Sequence, residues 1–486
     1  MIATPKVDWL ALAPVLALLG ASGVALLGSV LVPESIRRGF AAFAGFAGFV
    51  AAGVLAGVVF AETDAPRELL TESMTRDKLG SLAAVILAGA GALSILVSWG
   101  EKRRDHAGEY YALLAAAGAG MVFFVTASDL LTLFLGLEWF SIALYILCAL
   151  DTHRETSLEA GLKYLIVGSF GSAILLFGSA LVYGATGELG FSAIAAAGTD
   201  DELLLAGLAM VIAGLAFKAS AAPFHMWTPD VYQGAPTSVT AFMSAATKVA
   251  ALVLTLRILT VAFPEQEDLW TVAIAAIAVA SLVVGNLAAL VQRDVKRLLA
   301  YSSVSHAGFM LIAIAANNAL GGRALLYYLI PYAAMSIGAF AIVAAREREL
   351  GVPVTLDNLG GLGWERPFLG VSMWVFMLGF MGLPLTGGFI GKFYVFSAAY
   401  ERGWTWLVIV GVVATAVSLY YYLNVVRALY VRPDAELRPV VAGGSPPRDP
   451  LLVSAVALSL VVTVGSFVFV QPLIDFARDA AASLPL

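Results

Sequence analysis

Six ionisable side chains stand where a bilayer would make them costly. Glu138 lies inside the apolar run Leu135-Gly136-Leu137-Glu138-Trp139-Phe140, and Lys163 opens another such run. Lys218 precedes Pro223, Lys248 lies in the middle of the run 236–263, His306 follows Ser302-Ser303-Val304-Ser305, and Lys392 follows Gly387-Gly388-Phe389-Ile390-Gly391. A charge at the bilayer centre costs about 3 kcal/mol even on the lenient insertion scale. Lysine suits proton transfer, because burial disfavours its ammonium and a nearby carboxylate restores it. Arginine keeps its proton in proteins, so Arg257 is expected to pair structurally or to snorkel. The chemistry these residues point to is stepwise proton movement through a dry interior.

Plainer roles exist for each of them. Glu138 and Lys218 could form a static buried pair, Lys163 could snorkel to the interface, and His306 could hydrogen-bond within a polar core. His225 borders the Pro223 break and could line water. His106 and His153 lie in connections, and the run Tyr420-Tyr421-Tyr422 reads as packing.

The elements that must position these groups are membrane helices. Of 486 residues, 60% are hydrophobic and 13% charged, about half the charge of a soluble domain. Apolar runs long enough to span a bilayer recur throughout, at 9–32, 39–61, 80–99, 110–127, 129–150, 160–186, 202–227, 236–263, 270–291, 298–317, 323–345, 367–400, 404–431 and 451–473. None alternates as barrel strands do, and no strand is credible. This excludes a soluble enzyme, a nucleic-acid binder and a disordered scaffold. The net charge of −6 offers nothing to nucleic acid. The single Cys148 excludes an internal disulfide and a cysteine-ligated iron–sulfur cluster within the chain. No His, Cys and carboxylate cluster has metal-ligand spacing, and no phosphate-cradling glycine loop is present. The first run is too long for a signal-peptide core, so a retained first helix is expected.

Breaks are expected at Pro223, at Pro236 and at Pro384 with Gly387-Gly388, since proline removes a backbone donor and the freed groups need partners at membrane depth. Broken helices at corresponding places in two halves point to inverted repeats and a transport pathway. The predicted fold is an all-α polytopic membrane protein of about fourteen transmembrane helices with two inverted five-helix repeats. Residues 1–109 hold helices one to three, 110–263 the first repeat, 264–431 the second, and 432–486 the C-terminal connection and last helix.

These segments resemble a known family, the antiporter-like membrane subunits of respiratory complex I, the proton-translocating NADH:quinone oxidoreductase. Thr132-Leu133-Phe134-Leu135-Gly136-Leu137-Glu138 is similar to the family motif that carries its essential acid. Lys296-Arg297-Leu298-Leu299-Ala300-Tyr301-Ser302-Ser303 and Gly387 to Phe393 fit as well. Val231-Tyr232-Gln233-Gly234-Ala235-Pro236 resembles the N-type branch more than its L and M siblings.

The resemblance implies a non-redox subunit of a translocase enzyme in the bacterial inner membrane. Glu138 and Lys218 would be a half-channel pair, Lys163 its modulator, Lys248 the central relay and Lys392 the terminal relay; His306 joins this proton relay on its own position inside an apolar run, not through the resemblance. It implies no cofactor in this chain, and NADH, FMN, iron–sulfur clusters and quinone in partner subunits. Those partners would be the L and M siblings, small membrane subunits and the peripheral arm. A D-type subunit of a multisubunit cation/proton antiporter and a stand-alone inverted-repeat transporter are the alternatives.

Positive charge sets the expected orientation. Connections after odd-numbered spans hold Arg37, Arg38, Lys102, Arg103, Arg104, Arg154, Arg293, Lys296, Arg297, Arg346, Arg348, Arg366, Arg427, Arg432, Arg438 and Arg448, and those after even-numbered spans only Arg67, Arg76, Lys78, Arg323 and Arg402. Both termini should therefore face the periplasm. A cysteine introduced at Thr71 should react with an impermeant reagent from outside, and one at Ser445 only from inside; the reverse pattern would contradict this topology.

Overall fold

The computed structural model describes residues 7–101, 106–198, 201–431 and 449–486. Lys102 to Arg104, Arg432, Arg438, Ser445 and Arg448 lie outside the described residues. The helices in chain order are α1 (Trp9–Leu31), α2 (Glu34–Glu62), α3 (Lys78–Ser98), α4 (Ala107–Val125), α5 (Leu130–Cys148), α6 (Glu155–Thr186), α7 (Phe191–Ala197), α8 (Glu202–Lys218), α9 (Trp227–Gly234) and α10 (Thr237–Ala262). They continue as α11 (Glu267–Leu290), α12 (Val295–Ala316), α13 (Ala319–Leu350), α14 (Leu362–Glu365), α15 (Pro367–Met381), α16 (Gly387–Glu401), α17 (Thr405–Tyr430), α18 (Pro450–Val468) and α19 (Val470–Ala481).

Helix starts are written in the sequence. Asp8, Asp77, Asp129, Asp201, Asp294, Asn318 and Asp449 each accept a backbone N–H from the turn that follows. Short polar side chains at this position satisfy donors that the helix itself leaves open.

Twelve of the described helices are long and apolar enough to cross a membrane. The runs at 202–227 and 367–400 are each split, into α8 with α9 and α15 with α16. With those two discontinuous crossings the expected fourteen runs are accounted for. Three details differ from expectation. Pro236 interrupts no membrane span: it stands between α9 and α10, immediately before Thr237, where proline is tolerated. The last apolar run ends at Val468, and α19 is a separate helix carrying Gln471, Asp475, Arg478 and Asp479. A short antiparallel hairpin joins α2 to α3, with Arg67–Leu69 paired to Met74–Arg76; three-residue strands are too brief to leave an alternating pattern.

Helix α10 is buried along nearly its whole length, and α12 and α13 are buried on most faces. Outer helices turn apolar side chains outward, including Leu27 and Val30 of α1, Ile166 and Phe170 of α6, Leu287 of α11 and Ile409 of α17. Outside a membrane, contiguous apolar faces of this kind would be unstable.

One ion pair bolts one end of this arrangement. Arg257 of α10 reaches Asp77, the cap of α3, through two hydrogen bonds of 2.5 and 3.0 Å, and donates to the Val125 carbonyl at the end of α4 at 3.1 Å. Both side chains are almost fully buried. Arg257 therefore pairs structurally, as expected, and does not snorkel. Removing one partner of a buried pair strands the other charge, at a cost of about 3–5 kcal/mol. Asp77→Asn should sharply lower the amount of chain that withstands mild heating in detergent, and Asp77→Glu should lower it less. Equal survival of Asp77→Asn and the native chain would show that the bolt is dispensable.

Candidate functional site

Two helix breaks hold two of the buried lysines. At the first, α8 ends at Lys218 and the chain runs irregularly to Trp227. Freed backbone groups find side chains: Ala222 N–H donates to Ser281 Oγ of α11 at 2.8 Å, and the Phe217 carbonyl accepts from Trp227 Nε1 at 3.1 Å. A cation at a helix C-terminus complements the helix dipole. The Lys218 ammonium donates to Ser141 Oγ at 2.7 Å and Tyr164 OH at 3.2 Å. It also lies over the Phe140 ring, 4.6 Å from its centroid.

Glu138 stands one turn before Ser141 on α5. It forms no direct ion pair with Lys218 among the described residues, and its buried Oε1 has no hydrogen-bond partner. The Ser141 hydroxyl, which itself donates to the Leu137 carbonyl, takes the place of the direct carboxylate contact that the sequence suggested.

At the second break, α15 ends at Met381 and α16 begins at Gly387. In a continuous helix the Phe380 carbonyl would accept from residue 384, which is a proline without a donor. Lys392 supplies it, donating to Phe380 O at 2.9 Å and Met381 O at 3.3 Å. The two helix halves can touch because Gly388 has no side chain: a Cβ there would collide with the Gly379 carbonyl. The ammonium sits over the Phe309 ring at 4.2 Å.

His306 joins this break to the centre. Its Nδ1 and Nε2 hydrogen-bond to Tyr328 OH at 2.7 Å and Tyr422 OH at 3.0 Å. The Phe380 ring, whose residue's carbonyl holds Lys392, is 5.1 Å from the imidazole. Tyr422 also hydrogen-bonds Ser302, and Tyr332, 5.3 Å from His306, donates to Ser303 at 3.0 Å and to the Ser244 carbonyl at 3.3 Å. Ser244 lies one turn before Lys248 on α10. Lys248 is 0% exposed, and its ammonium nitrogen has no hydrogen-bond partner.

The geometry thus gathers Lys248, His306 and Lys392 into one hydroxyl-rich interior. Lys218 and Glu138 lie apart from it, and no protein hydrogen bond joins Lys218 to Lys248 among the described residues. Lys163 belongs to neither. It is exposed on α6, paired with Glu159 at 2.7 Å and Asp230 at 3.0 Å, and Asp230 also binds Arg297 at 2.5 Å. His225 is half-buried with an unpartnered Nδ1.

Sequence reasoning missed three participants. Tyr422 reads as packing in the sequence, although a phenol at membrane depth needs a hydrogen-bond partner, which is the available signal. Tyr328 carries the same signal. Lys296 reads as a connection cation but lies in the first turn of α12, 2% exposed.

Comparison with known proteins adds to this geometry. The family model described as NADH:quinone oxidoreductase/Mrp antiporter, TM, matches residues 127–418. NADH-quinone oxidoreductase subunit N of Trichlorobacter lovleyi is 40% identical over 418 residues, 85% of each chain. A chain in the structure of respiratory complex I from Thermus thermophilus with bound aureothin superposes with a TM-score of 0.81 at 32% identity, covering 96% of this chain and 99% of that one. A chain of the Mrp complex from Dietzia sp. has a TM-score of 0.84 at 22% identity over 98% and 97% of the two chains, a likeness of fold.

Replacing Lys392 by methionine would strand the Phe380 and Met381 carbonyls, at about 1–3 kcal/mol for each buried group left unsatisfied. Lys392→Met should reduce the heat resistance of the membrane-inserted chain; unchanged resistance would show that the ammonium does not cap the broken helix.

Proposed function

We propose a function for a chain that belongs to the NADH-quinone oxidoreductase subunit N family, within the NADH:quinone oxidoreductase/Mrp antiporter membrane proteins: it translocates protons through its buried lysines, coupled to quinone reduction elsewhere in the complex. One observation carries this reading. Lys218, Lys248, His306 and Lys392 are 2%, 0%, 1% and 3% exposed, yet none is neutralised by a directly bonded carboxylate. A protein that needed these groups only as fixed charges would pair them, as it pairs Arg257 with Asp77.

Neutral hydroxyls and carbonyls hold an ammonium but let it go. A unit charge arriving at about 4 Å shifts its energy by about 4 kcal/mol at an effective dielectric constant of about 20. That is close to a thousandfold in proton affinity, at about 1.4 kcal/mol per tenfold. The Glu138 carboxylate, one turn from Ser141, is the charge that can approach Lys218. With it near, Lys218 stays protonated; with it turned away, only Ser141 and Tyr164 remain and the proton leaves toward Lys248. His306 then links Lys248 to Lys392 through Tyr332, Tyr422 and Tyr328. Lys163 acts from outside this path, through Asp230 on the half-helix α9.

On this reading the two breaks sit at matching places in inverted repeats, residues 110–263 and 264–431, and both termini face the periplasm. Partners are the antiporter-like L and M subunits, small membrane subunits and the peripheral arm of the complex in a bacterial inner membrane. NADH, FMN, iron–sulfur clusters and quinone are held by those partner subunits.

Glu138→Gln keeps size and hydrogen bonding but removes the charge. It should assemble at near-native levels and strongly lower the proton gradient formed per NADH oxidised in membrane vesicles. Normal proton transfer in that variant would refute the role given to Glu138.

A further inference from the structure

Past its first turn, α11 carries three polar side chains, Thr271, Ser281 and Asn286. A side-chain amide buried among apolar helices is costly unless its donors and acceptor are matched. Asn286 is 2% exposed, with two N–H donors and one carbonyl oxygen to satisfy. Its Nδ2 donates to the Leu282 carbonyl of its own helix at 2.7 Å and to Ser305 Oγ of α12 at 3.0 Å. Its Oδ1 accepts from Tyr421 OH of α17 at 3.0 Å. A flipped amide would set Oδ1 against the Leu282 carbonyl, so the hydrogen-bond network fixes the orientation. One side chain therefore ties three helices together.

Backbone contact between α11 and α12 makes this reach possible. A Cβ at Gly285 would stand 2.6 Å from the Ser305 backbone nitrogen, and one at Gly308 would stand 2.9 Å from the Ala278 carbonyl oxygen. The third helix is less constrained. Helix α17 lies on the outside, with Ile409, Val412, Val413 and Tyr420 exposed. Among the described residues, its side chains hydrogen-bond to other helices only through Tyr421 and Tyr422.

These two neighbours serve different helices. Their ring centroids are 4.3 Å apart, yet their hydroxyls diverge, that of Tyr421 to Asn286 and that of Tyr422 to His306 Nε2 and Ser302. The Tyr422 ring also stacks on Phe380, with centroids 5.7 Å apart and planes at 17°. Phe380 is the residue whose carbonyl holds Lys392. Tyr422 thus stands where His306 meets the α15–α16 break, and the residue beside it is held by Asn286. A hydrogen bond is lost beyond about 3.5 Å, and a displacement of about 1 Å at a reacting group can cost about a hundredfold in rate. A small rotation of α17 is enough to part Tyr422 from His306.

We propose that Asn286 is a positioning residue for proton transfer between His306 and Lys392. It holds the Tyr421 hydroxyl, and with it the angle of α17, so that Tyr422 stays within hydrogen-bond distance of His306. Through Ser305 it also fixes the position next to His306 on α12. Asn286 hydrogen-bonds neither His306 nor Lys392 and exchanges no proton itself. The inference rests on the relay reading given above.

The test uses the assembled complex in membrane vesicles and reads the proton gradient per NADH oxidised. Tyr421→Phe removes a single hydroxyl and should assemble at native levels, since one interhelical hydrogen bond adds little to stability in a membrane. Its ratio should nevertheless fall at least twofold, and that of Asn286→Leu should fall as far. Tyr422→Phe is measured in parallel. Losing the Tyr422 hydroxyl changes the proton affinity of His306, so the pH profile of the ratio should change in Tyr421→Phe as it does in Tyr422→Phe, which loosened packing alone would not bring about. A full ratio in Tyr421→Phe, or a pH profile unlike that of Tyr422→Phe, overturns the positioning role; if Asn286→Leu does not assemble, Tyr421→Phe decides. A full ratio in Tyr422→Phe would fell the relay through His306 itself, whereas a low one beside a silent Tyr421→Phe would fell only the positioning role.

Discussion

In hydrocarbon, a backbone carbonyl without a donor and a lysine without an acceptor are each costly, and at the α15–α16 break they satisfy one another. Pro384 leaves the Phe380 carbonyl open, and Lys392 closes it. Around Lys218 the break in α8–α9 is stabilised by the same trade, made with the hydroxyls of Ser141 and Tyr164 and with the indole of Trp227. Irregular backbone is tolerated at membrane depth only where protein or water covers it. These breaks therefore put polar groups in the interior and make the interior able to hold a cation.

The rest of the fold follows from keeping that interior dry and aligned. Helix α10 carries Lys248 at its middle and Arg257, bound to Asp77, near its end. Arg257 also binds the end of α4, so three helices share one registration point.

Much of this was legible in the sequence. Apolar length located the spans, and isolated lysines in apolar runs marked the interior. Proline named the two breaks but also suggested a third broken span at Pro236, which lies between α9 and α10 rather than inside a span. What spacing could not show was which helix faces which. Glu138 and Lys218 look like a pair in sequence, yet Ser141 intervenes. Lys163 resembles a member of the chain, yet it turns outward to Glu159 and Asp230. Lys296 reads as a connection cation, yet the first turn of α12 is packed against the end of α9 and buries it. Tyr328 and Tyr422 gained their roles only when α13 and α17 came together around His306.

The central claim is that a buried lysine must give up its proton in each cycle, not merely be positive. Lys392 is the place to test it, because the Phe380 and Met381 carbonyls can accept from a guanidinium as well as from an ammonium, so arginine can be accommodated there. The measurement is the proton gradient formed per NADH oxidised in vesicles carrying Lys392→Arg. The account predicts an assembled complex whose gradient is as poor as that of Lys392→Ala. A full gradient from the arginine variant would show that charge alone suffices and would contradict the relay.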